Sequence, residues 1–307
     1  MQAPRYLITI HPLVLGSGRR LFPEGGPGAS LHLVDSRTTT TGVVVSHISR
    51  GVIQRDWCSS DSFQQPQMVS AGLVGGLGPE STIDYYRRIL LAWHQVEPST
   101  APSVVIDSLD VRHLLALVEH DRPALIQYLL ASLQRLAGAG VGFAAIAANT
   151  PHVVFDALAA VSPIPLVSIV EVCARHARQL GLRRMALLGT RFTMEGAFYP
   201  AVFARFGIAV MPPNHADRLW VHERYVGELL RGEFREDTRL EFIALIDRIR
   251  RSDDIDGVIL GGTELPLLLS MPSIAGVPAL DTTALHVTAI VDALRAPQAP
   301  ASTIATQ

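Results

Sequence analysis

The stretch LVGGLGPESTIDYY at residues 73–86 reads as the end of a buried strand, a turn rich in glycine and proline, and the start of a helix. The stretch LLGTRFTMEGAFY at residues 187–199 reads the same way. Gly75 stands 114 positions before Gly189, and Tyr85 stands 114 before Tyr199. Ala148-Asn149-Thr150 and Gly262-Thr263-Glu264 keep that offset, and Ile164-Pro165 and Val277-Pro278 follow at 113. Landmarks that hold one offset across a whole unit describe a duplicated domain.

Outward from these landmarks the chain alternates strand and helix. Strands are predicted near residues 69–74, 103–107, 143–147 and 165–169. A helix is predicted after Asp121, with Pro123 in its first turn, Leu125, Leu129, Leu133 and Leu136 along one side, and Gly138 and Gly140 at its end. Strands alternating with helices imply an α/β fold with parallel sheets covered on both faces. In such sheets ligands bind outside the carboxyl ends of the strands. The repeated landmarks all fall there, so the four turns at residues 75–81, 149–152, 189–195 and 263–265 are expected to line one cleft between two lobes. Turns of this kind present backbone N–H groups suited to a carboxylate.

Composition sets outer limits. Of 307 residues, 48% are apolar, which supplies material for sizeable cores, and the formal net charge is −2. That balance gives no reason to expect nucleic acid or an anionic membrane as partner. The apolar runs are too short to span a bilayer, and no secretory signal pattern opens the chain. The two cysteines, Cys58 and Cys173, form no metal-ligand spacing and no disulfide framework. A reducing cytoplasm is the expected compartment, and no metal site is expected.

The first 67 residues read differently. Strands at residues 7–10, 31–34 and 42–48 are separated by turn material, and residues 56–67 read as a linker. The words HPLVLGSGRRLF at residues 11–22 and LHLVDSRTTTTGVVV at residues 31–45 resemble the C-terminal tail of a riboflavin-biosynthesis reductase domain related to dihydrofolate reductase. The resemblance implies a truncated remnant joined to the main unit by gene fusion, and Met68 sits at the junction.

Taken together, GLVGGLGPESTIDYY, AANTPH, LLGTRFTMEGAFY, GGTEL and VPALDTTALH resemble the cofactor-independent aspartate/glutamate racemases over residues 68–296. The resemblance implies two Rossmann-like lobes, residues 68–163 with 283–296 and residues 164–282, with the site between them. It also implies a homodimer acting on a small amino acid or carboxylate without a cofactor. In that family one thiol from each lobe moves the α-proton, from the motifs C-N-T and G-C-T-E. Here those positions hold Ala148 and Gly262, and neither side chain can carry a proton. Some relatives have threonine at the first position but keep the second cysteine.

Two expectations follow for the site. Asn149, Thr150, Thr263, Glu80, Ser81, Thr82, Arg191 and Thr193 stand at the cleft turns and are the candidates for gripping substrate, with helix capping as their structural alternative. For proton transfer the candidates are Glu264 and His152, with Asp110, His113, Asp281 and His286 also near the strand ends. Cys173 falls on a helix and reads as a buried structural thiol. The function expected is chemistry at the α-carbon of a small amino acid or dicarboxylate; the alternative is a former enzyme that retains only carboxylate binding.

Overall fold

Residues 5–10, 31–38, 44–50 and 69–296 are described in a computed structural model of the chain. It divides into two units, residues 1–64 and 65–307. In the first unit β1 (Arg5–Ile10), β2 (Leu31–Thr38) and β3 (Val44–Arg50) form an antiparallel sheet in the order β1-β3-β2. The linker predicted at residues 56–67, and Cys58 within it, lie outside the described residues.

The second unit begins with β4 (Ser70–Gly75), α1 (Pro79–Val96), β5 (Ser103–Ser108), α2 (Val111–His120), α3 (Arg122–Gly138) and β6 (Phe143–Ile146). A 3-10 turn at Thr150–Val154 runs into α4 (Phe155–Val161), and β7 (Leu166–Val167) follows. These strands make one parallel sheet, β5-β4-β6-β7. The predicted α3 forms as read: Asp121 accepts from the Ala124 N–H as its cap, and Leu125, Leu129, Leu133 and Leu136 are all buried.

The next stretch runs through α5 (Ile169–Gln179), β8 (Arg184–Gly189), α6 (Arg191–Glu195), α7 (Phe198–Ala204) and β9 (Ala209–Met211). It continues with α8 (His215–Gly227), α9 (Glu236–Asp253), β10 (Gly257–Gly261), α10 (Leu265–Leu268), β11 (Ser273–Ile274), β12 (Val277–Asp281) and α11 (Thr282–Arg295). The second sheet runs β11-β12-β10-β8-β9, with only β11 antiparallel. Strands β4 and β8 begin at Ser70 and Arg184 and end at Gly75 and Gly189, so they keep the 114-residue offset throughout.

Each of the two mainly parallel sheets of the second unit is covered on both faces, as parallel sheets require. One face of the first sheet packs Val74, Ala144 and Ile146 against the leucines of α2 and α3. Its other face packs Leu73 and Ala145 against Tyr85 and Ile89 of α1 and Ile290 and Leu294 of α11. Thus the last helix of the chain returns to cover the first sheet. One difference from the sequence reading concerns the strand at Pro165: residues 164–282 were expected to belong to the second lobe, whereas Leu166 and Val167 pair with β6 as the fourth strand of the first sheet. The short α4 crossover carries the chain back parallel to β6 before it leaves for the second lobe.

These packing roles predict different costs of substitution. Leu129→Ala, at a site of 0% exposure, destabilises by about 2–5 kcal/mol. Asp121→Ala, which removes only a helix cap, costs about 1 kcal/mol. Urea unfolding of the full chain reads both, and equal effects would contradict the assigned roles.

Candidate functional site

The carboxyl ends of β4, β6, β8 and β10 deliver their turns to a single interlobe cavity. Ala148, Asn149 and Thr150 from the first lobe and Thr190, Gly262 and Thr263 from the second all line it. The two positions singled out by the repeat, Ala148 and Gly262, therefore share one site. In this closed form the cavity measures about 20 Å³, room for about one water molecule.

Its walls are held by side-chain hydrogen bonds between the lobes. Asn149 accepts from the Tyr199 hydroxyl at 2.6 Å and donates to Thr282 Oγ1 at 3.3 Å. Thr282 in turn donates to the Leu260 carbonyl at 2.8 Å, at the end of β10. The Thr150 hydroxyl lies 2.9 Å from that of Thr190 and 3.2 Å from that of Thr193, all three buried. Thr190 also caps α6 by accepting from the Thr193 N–H. Asn149, Thr150 and Thr193 thus serve the joint between lobes, with Asn149 and Thr150 also lining the cavity.

The remaining predicted residues divide. Thr263 lines the cavity and donates to Glu264 Oε2 at 3.2 Å. Ser81 is fully buried and donates to the Gly78 carbonyl, while Thr82 accepts from the Gly76 N–H and donates to the same carbonyl, so both shape the first turn. Glu80 is exposed. Arg191 reaches away from the cavity to pair with Glu119 of α2 at 3.0 Å and lies over the Phe192 ring. Asp110 and Asp281 cap α2 and α11, and Asp281 also pairs with Arg88. The exposed His113 ring meets Tyr128 edge-on.

The histidines are turned to structural use. The Ile169 N–H donates to His152 Nε2 at 3.4 Å, which leaves Nδ1 to donate to the Ala148 carbonyl at 3.0 Å. Both ring nitrogens are engaged with backbone, and the ring stacks on Phe155. Burial, with His286 nearby, pushes its pKa down to about 3. His152 was a candidate base; no nitrogen is left free to face the cavity, so it holds the turn bearing Ala148 instead. His286 likewise bonds the Val167 carbonyl through Nε2 and Tyr85 through Nδ1, and burial lowers its pKa to about 4. Cys173 is wholly buried in α5, and burial raises its thiol pKa.

Glu264 does not itself line the cavity; it is joined to it through Tyr225, which does. Its carboxyl is buried, and burial raises its pKa above the ordinary carboxylate value. The Tyr225 hydroxyl donates to its Oε2. Oε1 is buried and has no hydrogen-bond partner among the described residues. Tyr225 was not singled out in the sequence. It lies on α8, outside every repeated landmark, and reaches the site only through tertiary packing. A Cβ placed on Gly262 would stand 2.3 Å from its ring and 2.6 Å from its hydroxyl. The tyrosine therefore fills the space that a side chain at position 262 would occupy. Gly262 is not in the left-handed region, so space rather than backbone conformation restricts the position.

A family model described as Asp/Glu/Hydantoin racemase matches residues 74–290. The chain is similar to a Yersinia pestis protein assigned to the Asp/Glu racemases, at 33% identity, 74% coverage of this chain, 99% of that one and a TM-score of 0.66. An aspartate racemase homologue from Pyrococcus horikoshii OT3 is 30% identical, with 74% and 99% coverage and a TM-score of 0.63. The broad specificity amino-acid racemase RacX of Bacillus subtilis (strain 168) is 25% identical over 152 residues, 47% of this chain. The chain spans 64% of the length of that curated relative. Nothing in these relatives supports the reductase resemblance of residues 7–48.

Two predictions rest on this geometry. Gly262→Ala forces a methyl group against the Tyr225 ring and destabilises by about 1–3 kcal/mol. Adding Tyr225→Ala to the same chain makes the glycine substitution nearly neutral, which a double-mutant cycle in urea measures. The second concerns pH. His152 and His286 have folded pKa values below that of a free histidine, so the unfolded chain binds more protons as pH falls. Their stability contribution is complete above about 6.5 and is lost toward about 3 and about 4 respectively. Stability measured from pH 7 to pH 5 falls, and His286→Gln makes that slope shallower; an unchanged slope would contradict a neutral buried His286.

Proposed function

This chain belongs to the Asp/Glu/hydantoin racemase family, and we propose that it acts at the α-carbon of a small amino acid or dicarboxylate by a route that does not use paired thiols. The observation that carries this reading is the convergence of Ala148 and Gly262, with Asn149, Thr150 and Thr263, on one interlobe cavity. The hydroxyl and amide side chains and the turn N–H groups supply donors for a substrate carboxylate and for the negative charge that develops when an α-proton leaves. Without an ionisable side chain at 148 or 262, two-thiol racemisation has no acid–base groups to work with.

A second reading, a carboxylate-binding protein without turnover, draws on the closed cavity. Ligand sites commonly measure about 300–1,000 Å³, so the lobes must part to admit any amino acid. Homodimer formation, implied by the sequence resemblance, and a cytoplasmic location, expected from the cysteine usage, belong to the same proposal. Among the described residues no helix is long and apolar enough to cross a membrane.

The test is a thermal-shift screen against D- and L-amino acids and small dicarboxylates, followed by NMR detection of deuterium entering the α-position. A stabilising ligand whose α-proton exchanges supports the enzyme; binding without exchange supports the sensor. Exchange is expected to survive iodoacetamide, because Cys173 is buried. Loss of exchange on alkylating Cys173 would show that a thiol carries the chemistry.

A further inference from the structure

We propose that the hydroxyl of Tyr225, backed by the carboxyl of Glu264, is the proton-transfer group of the interlobe site and takes the place left by the missing second-lobe thiol. This inference rests on the α-carbon reading above and names the group and the face on which it acts.

Three observations converge. First, Tyr225 is the only residue with an ionisable side chain among those lining the cavity in the described structure. Second, its hydroxyl lies 2.6 Å from where a Cβ on Gly262 would be, so it stands at the origin of the side chain that the second-lobe motif lacks. Third, the pair is seated by a glycine from each lobe. A Cβ on Gly262 would strike the tyrosine, and a Cβ on Gly78 would lie 1.8 Å from Glu264 Oε1. That oxygen is buried beside the Ser81 hydroxyl, which donates to the Gly78 carbonyl, and it has no hydrogen bond of full geometry among the described residues. A buried carboxylate oxygen held this weakly is costly, and a group that gains and releases a proton during turnover gives a reason to keep it.

The step balances. The Cα–H bond breaks, and its electron pair remains on the substrate as an enolate facing the cavity donors. The proton bonds to Tyr225 Oη while the proton already there passes to Glu264 Oε2. The return runs in reverse, and deuterium reaches the substrate when the proton on Tyr225 Oη, with that on Glu264, exchanges with solvent before the return. Burial raises the pKa of both groups, which keeps the phenol protonated and brings the carboxyl closer to working pH. The first-lobe wall offers Ala148 and no titratable side chain, so protons come and go on one face. The expected outcome is exchange with retention of configuration, not racemisation.

The experiment uses the full chain with D- and L-aspartate, D- and L-glutamate and succinate as probes, in deuterated buffer. Tyr225→Phe keeps the ring that fills the site, and Glu264→Gln keeps the shape of the carboxyl. Each is expected to lower exchange by about 10²–10⁴-fold while ligand binding by thermal shift persists. Glu264 acts through the tyrosine, so its variant is also expected to lose the rise in exchange rate with pH that follows carboxyl ionisation. Exchange undiminished in Tyr225→Phe but lost in Glu264→Gln overturns the assignment to Tyr225 and leaves the enzymatic reading standing. Equal labelling of both enantiomers from one overturns the single-face chemistry. Binding without exchange in the unaltered protein overturns both readings together. Should Glu264→Gln fail to fold, Tyr225→Phe alone decides.

Discussion

The buried polar seam centred on Asn149 is the constraint on which the site depends. Its amide lies at the end of β6, accepts from Tyr199 on α7 and donates to Thr282 at the start of α11. Thr282 reaches the last turn of β10. One side chain thus fixes the strand-end turn of the first lobe against the corresponding turn of the second. Buried donors and acceptors tolerate no loose partner, so the seam sets spacing as well as affinity between lobes. The threonine cluster of residues 150, 190 and 193 repeats the arrangement one turn away. Ala148 and Gly262 inherit their positions from these bonds.

Duplication made much of this legible. A shared offset located both strand-end turns before any contact was known, because a repeated unit must place equivalent residues at equivalent strand ends. The leucine spacing of α3 and its Asp121 cap were equally readable, since both are local rules. What escaped the sequence was direction and distance. Arg191 stands at the expected turn but points to Glu119, because a long side chain follows its nearest opposite charge. His152 follows the AANT turn as read, yet its ring nitrogens serve the backbone. Tyr225 carried no signal at all: it is 37 residues from Gly262 on a helix with no repeated landmark, and only packing unites them.

The absence of a thiol at 262 is therefore more than a missing side chain. In the sequence Gly262 reads as a deletion of chemistry. In the structure it is one half of a steric exchange, in which the glycine makes room and the tyrosine enters. Gly78 performs the same service for Glu264 from the opposite lobe. Gly262 and Tyr225, on separate segments, then have to change together to return the site to a thiol. Residues in direct contact are not additive, so a cysteine at 262 inherits a filled space rather than an empty one.

The same packing bears on how a ligand enters. A cavity that holds about one water cannot admit an amino acid while Tyr225 lies against Gly262. The lobes meet here through hydroxyl and amide hydrogen bonds, which water or a carboxylate can replace at small net loss. Their main apolar cores belong to separate sheets, with Phe192 of the second lobe packed against the first-lobe core. Opening along the seam therefore exposes these polar groups together with Leu77, Leu114, Leu115 and Leu230 of the cavity wall. A substrate carboxylate arriving at Asn149, Thr150 and Thr263 would meet donors released by the opening itself, so the bonds that close the empty site are also the ones available to hold its ligand.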